Sequence, residues 1–167
     1  MIKKLNDSSH AVAAIVSSRK KRLQLAVILG AIATIGPLSI DMYLPALPAL
    51  SSYFGTTAAL VQLSLTFFLL GLALGQLVAG PLSDVYGRRL PLLIGMMIYA
   101  ISSLLCAFVP SIGLLIALRF IQGLAGSVGV VISRAAVRDL YTGSELTKFF
   151  SLLMIVNGLG PIVAPVL

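Results

Sequence analysis

The sequence predicts an all-α integral membrane protein with five membrane-crossing helices. Three observations carry that prediction. Of the 167 residues, 59% are hydrophobic and only 10% are charged, against about 25% charged in a soluble domain. Mean hydropathy is +1.07. The apolar residues fill whole stretches instead of one helical face, as expected of a chain solvated by lipid.

The elements follow in order. Residues 1–22, MIKKLNDSSHAVAAIVSSRKKR, are polar and basic. Their AVAAIV stretch is too short for a signal-peptide core and no cleavage pattern follows it. The segment reads as a cytoplasmic tail, with His10 solvated in it. Residues 23–167 form the transmembrane bundle. A helix needs roughly 20 residues to cross a bilayer, and five runs supply them: 23–47, broken only by Asp41; 58–79 and 90–109, both uncharged; 112–133, carrying Arg119; and 149–167.

The basic residues sort by side. Lys3, Lys4, Arg19, Lys20, Lys21 and Arg22 precede the first run, Arg88 and Arg89 separate the second from the third, and Arg134, Arg138 and Lys148 separate the fourth from the fifth. If the runs alternate, these eleven of the twelve basic residues share one side, while the opposite loops, 49–57 and 110–111, carry no charge. The positive-inside rule then puts the N-terminus and the basic loops in the cytoplasm of a multi-pass inner-membrane protein. Short loops make neighbouring helices antiparallel. Gly71 and Gly75, and Gly123, Gly126 and Gly129, offer close helix contact. The fifth run ends in open hydrophobic sequence at Leu167, so the chain reads as the front part of a longer protein.

Several functions are excluded. The net charge of +7 lies in short segments between apolar runs, which fits anionic lipid and not nucleic acid. The single cysteine, Cys106, allows no internal disulfide and no metal cluster, and reads as a packing residue. No Ser/His, Cys/His or metal constellation suggests an enzyme, and no cofactor is expected.

Three charged features need a purpose. Asp41 and Arg119 are costly inside a membrane, by about 2.5–3.5 kcal/mol each on insertion scales, and such residues usually face a cavity or a partner. With Pro48 and Ile112 as outer helix ends, each lies seven residues in, roughly 10 Å deep at 1.5 Å per residue. The matched depth makes them candidates for one polar cavity. A carboxylate taken from water favours its protonated form, and a nearby cation favours the ionised one, so a balance of the two suits proton coupling. The bland alternative is an interfacial acid and a snorkelling arginine. The third feature is GPLSDVYGRR (80–89), which sets Gly80, Asp84, Gly87, Arg88 and Arg89 in one expected tight turn. Tyr43, Gln62 and Gln122 are further candidates for cavity-lining residues.

These stretches carry a resemblance. GPLSDVYGRR, between the second and third runs, resembles motif A of the major facilitator superfamily. RFIQG (119–123) in the fourth run resembles motif B, whose arginine is implicated in proton coupling. GLGPIVAP (158–165) in the fifth resembles the antiporter motif C, with Ala164 and Pro165 near the end where paired glycines are common. DMYLPALP (41–48) and RDLY (138–141) are similar to the Bcr/CflA drug-efflux branch. The four ordered motifs span nearly all of residues 23–167.

The resemblance implies five helices of the N-terminal six-helix half of a twelve-helix transporter, working as a proton-driven antiporter that exports small, often lipophilic drugs. It implies a proton site at Asp41 with Arg119 as its coupling partner, and a helix-four motif of Arg119, Gln122 and Gly123. A cytoplasmic gate would use Asp84, Arg88 and Arg89, with Arg138 and Asp139 near it. Gly158, Gly160, Pro161 and Pro165 would bend or pack the fifth helix. The implied partners are the bilayer, the drug, protons and a missing C-terminal half. Two alternatives stand: a metabolite or sugar facilitator of the same superfamily, and a truncated membrane protein without transport activity.

Overall fold

The computed structural model describes residues 19–140 and, beyond them, positions 143, 146–148, 150–151 and 154–155. The fifth run therefore falls largely outside the described residues, and so do Gly158, Gly160, Pro161 and Pro165.

The described chain is a bundle of long helices: α1 (Arg19–Tyr43), a 3-10 turn (Leu44–Ala46), α2 (Leu47–Phe54), α3 (Ala58–Tyr86), α4 (Arg89–Cys106) and α5 (Ile112–Leu140). Four segments are long and apolar enough to cross a membrane: Val27–Phe54, Ala58–Tyr86, Arg89–Cys106 and Ile112–Asp139. They coincide with the first four apolar runs but depart from the expected bounds at three places, each with a physical reason.

The loop expected over 49–57 is mostly helix. Pro45 and Pro48 sit in the first turns of the 3-10 segment and of α2, where a missing N–H costs nothing and a fixed φ helps. The prolines bend the path and restart the helix. α2 stops at Gly55, whose φ of 57° is left-handed. The amides of Gly55 and Thr56 bond the carbonyls of Ser52 and Ser51, the return of a glycine helix end. Consequently the helical segment holding Asp41 continues to Phe54, so Pro48 is not the helix end from which its depth was counted.

The tight turn expected over 80–89 is mostly helix too. α3 runs through Pro81 to Tyr86, and the chain reverses only at Gly87 and Arg88, with Gly87 at a φ of 78°. Likewise α5 continues to Leu140, so Arg134, Arg138 and Asp139 ride on helix and not on a loop. Charged residues end a membrane crossing without ending a helix, because backbone hydrogen bonds continue into the interface while the hydropathy signal stops.

α5 is the axis of the bundle. Half of its most apolar stretch is buried inside the protein, against 17% for α4, and α3, α4 and α1 all pack on it. Small residues set its distance from α3. A Cβ on Gly71 would run into the backbone carbonyl of Phe120, and one on Gly123 into that of Phe68. Two glycines, one per helix, thus let two backbones touch.

Candidate functional site

A polar cluster sits where α1, α3, α4 and α5 meet. Its centre is Arg119, half-buried on α5. The guanidinium carbon lies 3.7 Å from the centroid of the Tyr43 ring and 5.8 Å from that of Phe68. Nη1 donates to Gln122 Oε1 at 3.0 Å. Gln122 Nε2 donates to Ser103 Oγ at 2.6 Å, and Ser103 Oγ donates to the Tyr99 carbonyl at 2.8 Å. Arginine and glutamine reach each other because positions 119 and 122 are one helical turn apart.

Helix α1 is tied in by two hydroxyl pairs. Tyr43 bonds Ser64 on α3, and Ser64 in turn donates to the Val61 carbonyl at 2.5 Å. Ser39 bonds the hydroxyl of Tyr99 on α4. Tyr43, Ser64 and Gln122 are buried. A cation inside a membrane needs such company: aromatic faces attract it, by about 2 kcal/mol when desolvated, and the amide oxygen takes a charge-assisted bond. One donor is left over, since Arg119 Nε is buried without a partner.

Asp41 is half-buried on α1, and among the described residues it makes no hydrogen bond or ion pair. The structure therefore does not join Asp41 to Arg119. It seats Arg119 on Tyr43, two residues further along, which a helix places about 200° round from Asp41. Of the candidate cavity residues, Tyr43 and Gln122 join the cluster, whereas Gln62 is exposed at a separate cavity of about 350 Å³ with Pro48 and Ser51. The sequence reading missed Ser39, Ser64, Tyr99 and Ser103. Each is a hydroxyl in a largely apolar run, and only the packing of helices brings it a partner from another helix beyond any bond to its own.

A second polar cluster forms where α3 ends. Arg88 Nε donates to Asp139 Oδ2 at 2.6 Å, and Arg88 Nη2 lies 3.8 Å from Asp84 Oδ1. Gly80, Asp84, Arg88, Arg134, Arg138 and Asp139 line one cavity of about 410 Å³. The turn thus couples α3 to the far end of α5. Gly87 supplies the left-handed turn. Arg89 stands apart, exposed and without an ion pair among the described residues.

Comparisons with known proteins identify the family. Residues 29–167 match the family model described as Major Facilitator Superfamily. The chain is 56% identical over 146 residues to the uncharacterized MFS-type transporter YdgK of Bacillus subtilis, covering 87% of this chain and 36% of that protein. It is 35% identical over 152 residues to a bicyclomycin resistance protein homolog of Haemophilus influenzae, covering 91% and 38%. With a chloramphenicol resistance protein of Pseudomonas aeruginosa it shares 40% over 130 residues, 75% of this chain and 31% of that one. The chain thus spans about a third of the length of these relatives. Matched over most of its length and folded as a bundle of membrane-crossing helices, this chain belongs to the Major Facilitator Superfamily, a family of transporters and not of enzymes.

Proposed function

We propose that this chain is part of a proton-driven multidrug efflux transporter, exchanging drug for H⁺ across the bacterial inner membrane, with residue 1 and the Arg88 turn on the cytoplasmic side. The observation that carries the reading is Arg119: a membrane-embedded cation held by Tyr43 and Gln122, on a helix packed against the one that bears Asp41. Asp41 is the proton site. With the proton bound it is neutral and compatible with lipid-like surroundings. With the proton released it becomes an anion that attracts either Arg119 or a cationic drug. The Arg119 guanidinium is a fixed charge against which the state of Asp41 is set.

The second cluster acts as the cytoplasmic gate. Arg88 and Asp139 hold the ends of α3 and α5 together, and exposed Asp84, 3.8 Å from Arg88, exchanges that partner for one on a second half of the transporter that lies outside this chain. Bicyclomycin and chloramphenicol are the first substrates to try, since relatives carry those names. The test is drug efflux in inverted or intact vesicles bearing the full-length gene product. An imposed proton gradient drives efflux, and Asp41→Asn abolishes the gradient dependence. Normal proton-driven efflux by Asp41→Asn refutes the reading, and gradient-independent exchange by the unaltered protein points to a facilitator.

A further inference from the structure

The outer surface of the bundle carries a groove that the transport reading does not use. After the turn at Gly87, α3 and α4 diverge and touch each other over a short stretch only, while both lean on α5. The gap between them is an apolar trough of about 440 Å³. Leu82 and Tyr86 form one wall, Ile94 and Ile98 the other, and Ala125 and Val128 the floor. The trough runs from the turn toward the middle of the membrane, because its walls start at Tyr86 on one side of the turn and at the first turns of α4 on the other.

Its charged end is asymmetric. Arg88 is engaged by Asp139 and Asp84. Arg89, the first residue of α4, is exposed and unpaired among the described residues. No side chain caps α4, so its first amides add a weak attraction for an anion. An apolar channel whose lining on α4 begins at Leu90, the residue after exposed Arg89, matches one kind of molecule. Basic pockets between membrane helices at an interface are where anionic headgroups bind, and arginine pairs with phosphate through two parallel hydrogen bonds.

We infer that the trough between α3 and α4 is a binding site for an anionic phospholipid, one acyl chain lying between Tyr86 and Ile98 and the headgroup phosphate on Arg89. The site selects headgroup charge through Arg89 and holds the chain by shape. A neutral lipid fills the same trough without that selection. The site is separate from the Arg119 cluster, so the inference holds whatever the protein carries.

The test is photo-crosslinking on the full-length gene product with benzoylphenylalanine at Ile98, reconstituted in nanodiscs of phosphatidylglycerol and phosphatidylcholine. The expected adduct is lipid, with the ratio of phosphatidylglycerol to phosphatidylcholine raised roughly fivefold over that in the disc, the increment for one basic residue at a membrane surface. Arg89→Gln removes the enrichment but keeps the adduct. Ile94→Trp, on a half-exposed wall position, fills the trough and removes the adduct for both lipids. A crosslink to another segment of the protein, or an enrichment that survives Arg89→Gln, overturns the inference.

Discussion

At the scale of single residues, the seat of Arg119 separates electrostatics from packing. Tyr43 gives the guanidinium a ring face and gives Ser64 a hydroxyl, and two substitutions divide these roles. Tyr43→Phe keeps the face. Tyr43→Leu loses it, and with it the order of 0.5–2 kcal/mol of cation–π attraction. Tyr43→Phe is therefore expected to keep nearly normal proton-dependent efflux, while Tyr43→Leu loses roughly an order of magnitude and shifts the pH profile. Equal loss in both shows that the hydroxyl, not the ring, matters. Ser103→Ala is a second probe. It leaves Gln122 Nε2 without its acceptor at a buried position, and an unmet buried donor costs about 1–3 kcal/mol. A lower melting temperature in detergent is expected, with restoration by Ser103→Thr.

At the scale of elements, the contact of α3 with α5 depends on absent side chains. Gly71→Ala or Gly123→Ala would press a methyl group into a facing backbone carbonyl. A backbone yields less than a rotamer, so the cost reaches or exceeds the 1–3 kcal/mol of ordinary overpacking. Gly113 has open space around it, and Gly113→Ala is the control. The expected result is a lower melting temperature and poor accumulation for the first two variants and no change for the third. The restart of the helix at Pro45 and Pro48 belongs to this scale as well. It keeps Ser51 and Phe54 helical beyond the segment that hydropathy alone would end.

At the scale of the whole molecule, three links join the described long helices. One end of the bundle closes on residues 55–57 and 107–111, the other on Gly87 and Arg88. If the basic end faces the cytoplasm, a cysteine placed at Thr56 in a Cys106→Ser background is labelled by an impermeant maleimide added to intact cells. A cysteine at Gly87 is then labelled only after permeabilisation. The opposite pattern inverts the proposed orientation. The Arg88 and Asp139 side chains are 30% and 54% exposed, so the pair contributes little to stability, on the order of 0–1 kcal/mol. Asp139→Asn is accordingly expected to leave the melting temperature nearly unchanged while altering efflux, which distinguishes a gate from a structural tie.

The sequence by itself determined the class of the molecule, because lipid solvation demands long apolar runs and charge obeys a sidedness that composition records directly. It also located the four described crossings, and among the cluster residues Arg119, Tyr43 and Gln122. Three things were decided only by tertiary structure. Helix ends lay beyond the hydropathy breaks, since charge changes the solvent preference of a segment without breaking its hydrogen bonds, and Pro45 and Pro48 fall in first turns, where no N–H is needed. The serines and Tyr99 that bind Arg119 and α1 into one cluster come from three helices far apart in the chain, and no local pattern marks them. The seating of Arg119 on Tyr43, with Asp41 left unpaired, follows from how α1 is rotated against α5, and that rotation is fixed by the packing of small residues between helices and not by the spacing of charges along the chain.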